Sequence, residues 1–211
     1  AIRRGPMKVP TVGTQVYNAV LRTGTGVAAT VTGAVFPPDL VILEGRTDPK
    51  GTFSDRLRGS TKLLNSYEAA AEATDTLGVT SFSMDGMAVG TGNNANQSGM
   101  TYVYWFFRRY PSVFDEVCYT GTGVARTINH NLGVVPELMI VKGRSNTDQW
   151  TVYAAPLGNT KYLRIAPYGD DPDGTVSSYW NNTTPTSSVF TLGSSGDLNA
   201  SARTYVAYLF A

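Results

Sequence analysis

The sequence predicts an all-β protein: two tandem antiparallel β-sandwich domains of jelly-roll-like form, related by an internal repeat. Three observations carry this. Segments return in order about 100 residues later, a period that suits a complete small domain and is too long for a solenoid turn. Apolar runs are short, of strand length, and bounded by Gly, Pro and Asn. The composition is turn-rich and charge-poor, with 22 glycines and 16% charged residues.

The repeat sets the domain plan. Thr23-Gly24-Thr25-Gly26-Val27-Ala28 returns 97 positions later as Thr120-Gly121-Thr122-Gly123-Val124-Ala125. Pro38-Asp39-Leu40 returns after 98 as Pro136-Glu137-Leu138, and Gly59-Ser60-Thr61-Lys62 after 99 as Gly158-Asn159-Thr160-Lys161. Thr101-Tyr102-Val103 returns after 103 as Thr204-Tyr205-Val206. The order is kept and the offset only grows, as a few loop insertions would leave it. Arg3-Arg4-Gly5-Pro6 matches Arg108-Arg109-Tyr110-Pro111, which marks where one copy leads into the next. The first copy therefore spans 1–107, with 1–15 linker-like, and the second spans 108–211, with 108–115 as linker. Proline favours extended backbone before it. Arg3, Arg4, Arg108 and Arg109 are expected at an inter-domain or inter-subunit interface, where the planar guanidinium fork pairs with carboxylates. The chain opens on that linker without an initiator Met, so it reads as a piece of a longer protein.

In chain order, Leu40–Glu44, Thr61–Asn65 and Tyr102–Phe107 are strands of the first copy. Val117–Thr120 opens the second and is ended by Gly121 and Gly123. Thr127–His130 follows and is broken at Asn131-Leu132-Gly133, where Asn and Gly supply the backbone a turn needs. Leu138–Lys142 is an apolar core strand between Pro136 and Gly143, and Gln149–Tyr153, Lys161–Ile165 and Val189–Leu192 are further strands. Tyr205–Phe210 is apolar on both faces, as a central strand would be. Ser66–Thr74 has helix propensity, but its counterpart Tyr168–Gly174 is rich in Gly, Pro and Asp. Such a pair is most simply a surface loop, holding at most one helical turn.

Several chemistries are disfavoured. Seventeen basic and 16 acidic residues leave a net charge of +1, which gives no electrostatic footprint for nucleic acid and no polybasic patch for membranes. No apolar run reaches membrane-spanning length and no signal-peptide pattern is present. Cys118, the only cysteine, is read as a small buried hydrophobe. His130, the only histidine, is read as bonding the backbone of its turn, with no catalytic residue assigned. Asp170-Asp171-Pro172-Asp173-Gly174 lacks EF-hand spacing, so no metal and no cofactor are expected. The Gly-Thr-Gly segments are not followed by a phosphate-loop Lys and read as turns. Paired carboxylates for glycoside hydrolysis are a remote third reading.

Aromatic rings beside amides are the usual platform for sugars. Trp150, Tyr179, Trp180, Asn181 and Asn182 have those ingredients and form the candidate glycan site, with a core position for either tryptophan as the other reading.

Phe107–Asp115, Tyr119–Gly123, Ile128–Gly133, Pro136–Lys142, Leu157–Leu163, Tyr179–Asn182, Val189–Gly193 and Tyr205–Phe210 together resemble a domain that recurs in tandem in tailed-phage virion and tail-fibre-like proteins. The first copy keeps the frame, but Gly33-Ala34-Val35-Phe36 replaces the His-Asn-Leu-Gly turn and no Tyr-Trp-Asn-Asn segment is present. The resemblance implies a non-enzymatic virion part, located in a tail, fibre or tip assembly. Its partners would be other virion proteins or copies of itself. A carbohydrate-binding module recognising host surface glycans is the alternative.

Overall fold

The computed structural model describes residues 10–47, 50–165 and 176–211. The fold is all-β and antiparallel. The first half contributes β1 (Tyr17–Thr23), β2 (Ala29–Thr32), β3 (Leu40–Gly45), β4 (Thr52–Asp55), β5 (Lys62–Asn65), β6 (Ala73–Thr74), β7 (Val79–Phe82), β8 (Gly86–Val89) and β9 (Thr101–Phe107). The second contributes β10 (Phe114–Thr120), β11 (Arg126–Asn129), β12 (Leu138–Gly143), β13 (Trp150–Ala154), β14 (Leu163–Ile165), β15 (Val189–Leu192) and β16 (Thr204–Phe210). Three one-turn α-helices, α1 (Asn93–Asn96), α2 (Ser177–Trp180) and α3 (Gly196–Asn199), and two short 3-10 helices, Gly13–Gln15 and Ala155–Leu157, complete the described elements.

The two halves share one strand plan. The large sheet of the first half runs β1-β9-β3-β4-β5-β6, and that of the second runs β10-β16-β12-β13-β14. Register agrees as well: Phe107 faces Tyr17 on one side and Leu40 on the other, just as Phe210 faces Phe114 and Leu138. A small sheet, β2-β8-β7 or β11-β15, covers the outer face of each large sheet. Each half is therefore a sandwich.

The repeated Thr-Gly-Thr-Gly turn has a physical reason. Asn96, fully buried, donates from Nδ2 to Val27 O (2.7 Å) and Gly90 O (2.8 Å), and its Oδ1 accepts the Thr25 N–H (3.0 Å). Asn199 does the same with Val124 O, Gly193 O and the Thr122 N–H. Each asparagine thus satisfies three backbone groups that no strand ladder reaches. Gly24 and Gly121 lie so close to the returning chain that an added Cβ would sit 2.2 Å from Gln97 O or Ala200 O. Only glycine fits there.

The halves are not beads on a connector. Their large sheets pack face to face, and Leu40, Phe53 and Leu64 of one close on Phe114, Trp150, Val206 and Tyr208 of the other. Phe107 bridges the sheets at one end, with its ring 5.7 Å from Phe114 and 5.4 Å from Phe210. The expected linker over 108–115 is accordingly shorter. Phe114 begins β10 and is a core residue, because burying its ring in the seam outweighs leaving it in a connecting segment. Residues 66–72 form no helix; they cross to the second half, where Ala69 O accepts from Lys142 Nζ (3.1 Å) and the Glu72 N–H donates to Arg144 O (2.8 Å). Those tertiary bonds override helix propensity.

Candidate functional site

The seam holds a set of buried charges. Asp55 accepts from the Arg58 backbone N–H (2.7 Å), from Arg58 Nε and from the Tyr208 hydroxyl (2.8 Å). Arg58 also donates to Phe53 O (2.9 Å) and Glu72 Oε2 (3.1 Å), and Arg144 grips Glu72 with two bonds of 2.8 and 3.0 Å. Burial alone would raise the Glu72 pKa, but the bonds and charges of Arg144 and Arg58 hold it below the usual range. The crossing segment 66–72 and both sheets are thereby joined by one ionic network.

Glu116 lies in the same seam, 2% exposed, and its Oε2 has no hydrogen-bond partner among the described residues. Desolvation, reinforced by the Asp55 charge, pushes its pKa up to about 9, so it is a neutral acid at pH 7. A protonated carboxyl is what a general acid needs. Here it is sealed between two sheets, and what it does is avoid burying another charge. Lys142, also fully buried, is pushed down to about 8 by desolvation and donates to Ala69 O and Gly143 O.

The structure places the expected glycan residues elsewhere than on a platform. Trp150 is 0% exposed in the seam; its ring lies 4.7 Å from Phe53 and its indole N–H donates to Asn65 O (2.8 Å). Trp180 is 1% exposed in the outer core of the second half, edge-on to Tyr153, and donates to Lys161 O. Tyr179 stacks on Tyr162 at 3.8 Å and donates to Asp197 Oδ2 (2.8 Å). Asn181 and Asn182 are exposed, with φ of 52° and 49°, and Asn181 ends α2 in the left-handed conformation. The five residues do not form one site, since both indole faces are taken by core contacts.

His130 is buried; its Nδ1 accepts the Leu132 N–H of its own turn and its Nε2 donates to Thr186 O, in the segment that leads into β15, both at 3.2 Å. Desolvation lowers its pKa. Cys118 is half-buried against the seam, and desolvation pushes its thiol up to about 11, which leaves it unreactive at neutral pH. Among the described residues no three His, Cys, Asp or Glu side chains stand close enough to hold a metal, and Asp170, Asp171 and Asp173 lie outside them.

Arg3 and Arg4 lie outside the described residues. Arg109 joins the halves: its guanidinium pairs with Asp115 (2.6 Å) and its backbone N–H donates to Asp39 Oδ2 (2.8 Å). Arg108 borders a surface cleft of about 380 Å³ with Pro37, Arg56, Phe82, Ser83 and Met84. There the Arg56 guanidinium lies 5.1 Å over the Phe82 ring and donates to Pro38 O and Ser83 O.

The feature missed from sequence is the seam-side face of β1. Asn18, Val20 and Arg22 turn toward the small sheet, where Asn18 donates to Gly33 O and Arg22 to Asn96 Oδ1. Tyr17, Ala19 and Leu21 point the other way and are exposed. The alternation in Tyr17–Arg22 was the available signal. It runs opposite to a solvated strand, with the polar Asn18 and Arg22 inward beside Val20 and the apolar Ala19 and Leu21 outward.

The chain belongs to the family described as a domain of unknown function (DUF7483), whose profile matches residues 13–211 and so spans both halves and the seam. Neither a curated protein nor a solved structure matches it.

Proposed function

We propose that this chain is a non-enzymatic structural module of a tailed-phage virion, part of a tail, fibre or tip assembly that spaces or presents host-contact surfaces. The observation that carries the reading is the seam. Two sandwiches that could have hung on a flexible connector are instead locked by a shared aromatic core and a buried ionic network. Such a block holds its shape and transmits load, as a spacing element must. The resemblance of the second half to tandem tail-fibre-like repeats supplies the setting. Two of its groups with shifted pKa values, Glu116 and Lys142, are enclosed where no substrate meets them. Recognition of glycans through Trp150 and Trp180 loses its support, because neither ring has a free face.

Fractionation of a lysate that produces this polypeptide tests the proposal. The chain is expected to sediment with DNA-containing particles and to be detected in them by mass spectrometry. Recovery only in the soluble fraction would contradict it.

A further inference from the structure

The two halves carry the same sheet face in two different states. In the second half the face built from β10 and β16 presents Phe114, Glu116, Val206 and Tyr208, all buried under Leu40, Phe53 and Leu64 of the first half. The matching face of the first half is built from β1 and β9, and the shared register makes Tyr17 the counterpart of Phe114, Ala19 of Glu116, Val103 of Val206 and Trp105 of Tyr208. Among the described residues nothing covers it. Tyr17 is 41% exposed against 1% for Phe114, Leu21 is 67% exposed, and Val103 and Trp105 are only half-buried. The face is continuous with the seam, since the Tyr17 ring lies 5.0 Å from Phe107, which itself packs on Phe114 and Phe210.

We infer that the β1–β9 face is a self-association surface, occupied by a second copy of this chain through the same face. Three points fix the occupant. The molecule already covers this kind of face with a β-sheet of its own kind. The sheet surface that does so, Leu40, Phe53 and Leu64, is used inside every copy and is not on offer to a neighbour. Among the described residues, the large-sheet face that a second copy leaves uncovered is the β1–β9 face itself, so the contact is self-complementary and two-fold. Apolar side chains that meet no core in one copy then meet their equivalents in the other, sheet against sheet. The inference deepens the structural reading by naming a partner, and it stands or falls on a different measurement.

Sedimentation of the whole purified chain across roughly 1 to 100 µM, the range in which modest interfaces assemble, tests it. The mass is expected to rise from one copy to two with concentration. Leu21→Asp is expected to abolish the rise while leaving the melting temperature unchanged, because the side chain is mostly exposed. Val124→Asp, equally exposed but in the turn between β10 and β11, is expected to associate like the parent. Should Leu21→Asp fold poorly, Ala19→Arg gives the same readout from the neighbouring outward position. A parent that stays monomeric throughout, or a folded Leu21→Asp or Ala19→Arg that still dimerises, overturns the inference. A chain found in particles but monomeric in solution loses this inference and keeps the structural function. A chain that dimerises but is absent from particles does the reverse.

Discussion

Glu116 shows what the seam asks of a single residue. Its pKa is about 4.5 when exposed and about 9 when folded. A group raised on folding contributes stability that is complete below the lower value and is lost as pH rises through the higher one. Glu116→Gln keeps the neutral shape and removes that loss. Chemical unfolding is expected to find the two proteins alike near pH 4.5 and the Gln variant more stable at pH 7, on the order of 2–3 kcal/mol. Equal stability at both pH values would mean that the carboxyl is not held neutral. His130 has the opposite sign. Its pKa is depressed, so its share of stability is present above about 6.5 and lost as pH falls below it, when protonation at Nδ1 displaces the Leu132 N–H. That the imidazole bonds its own turn was legible from Asn129-His130-Asn131-Leu132-Gly133. The burial of Glu116 was not, because the residues that enclose it come from the other half of the chain. Trp150 makes the same point: its side chain is polar-tipped and aromatic in either role, and only Phe53 and Asn65, far away in sequence, decide for the core.

At the scale of elements, most strands could be read from apolar runs and their breakers. Leu40–Gly45, Leu138–Gly143, Thr101–Phe107 and Thr204–Phe210 fall where the pattern puts them, because a central strand is apolar on both faces and needs no outside information. The Thr-Gly-Thr-Gly segments were legible as turns, but not the reason for their return, since the bracing asparagine lies about 70 positions further on. Asn96→Ala and Asn199→Ala each strand three backbone groups, and each is expected to cost roughly 2–4 kcal/mol of unfolding free energy. Gly24→Ala and Gly121→Ala are expected to be of similar severity, because the new Cβ meets a backbone carbonyl that cannot swing away. If these changes proved neutral, the bracket would be incidental. Residues 66–72 were misleading in isolation. Their alanines favour helix, yet Glu72 is spoken for by Arg58 and Arg144, and two ion pairs outweigh a propensity worth tenths of a kcal/mol per residue.

At the scale of the whole molecule, the internal correspondence gives two sandwiches and says nothing about how they meet. Residues that join two domains carry no spacing signature, so the seam could only be seen in the fold. Its consequence is thermodynamic. If Leu40, Phe53, Leu64, Phe114, Trp150, Val206 and Tyr208 form one core, neither half unfolds without exposing the other. Calorimetry of the intact chain beside Trp150→Ala tests this most directly. The account predicts one transition with equal calorimetric and van't Hoff enthalpies, shifted as a whole by the variant, whose lost ring costs on the order of 3–5 kcal/mol. Two resolved transitions, with only one moved by Trp150→Ala, would contradict it.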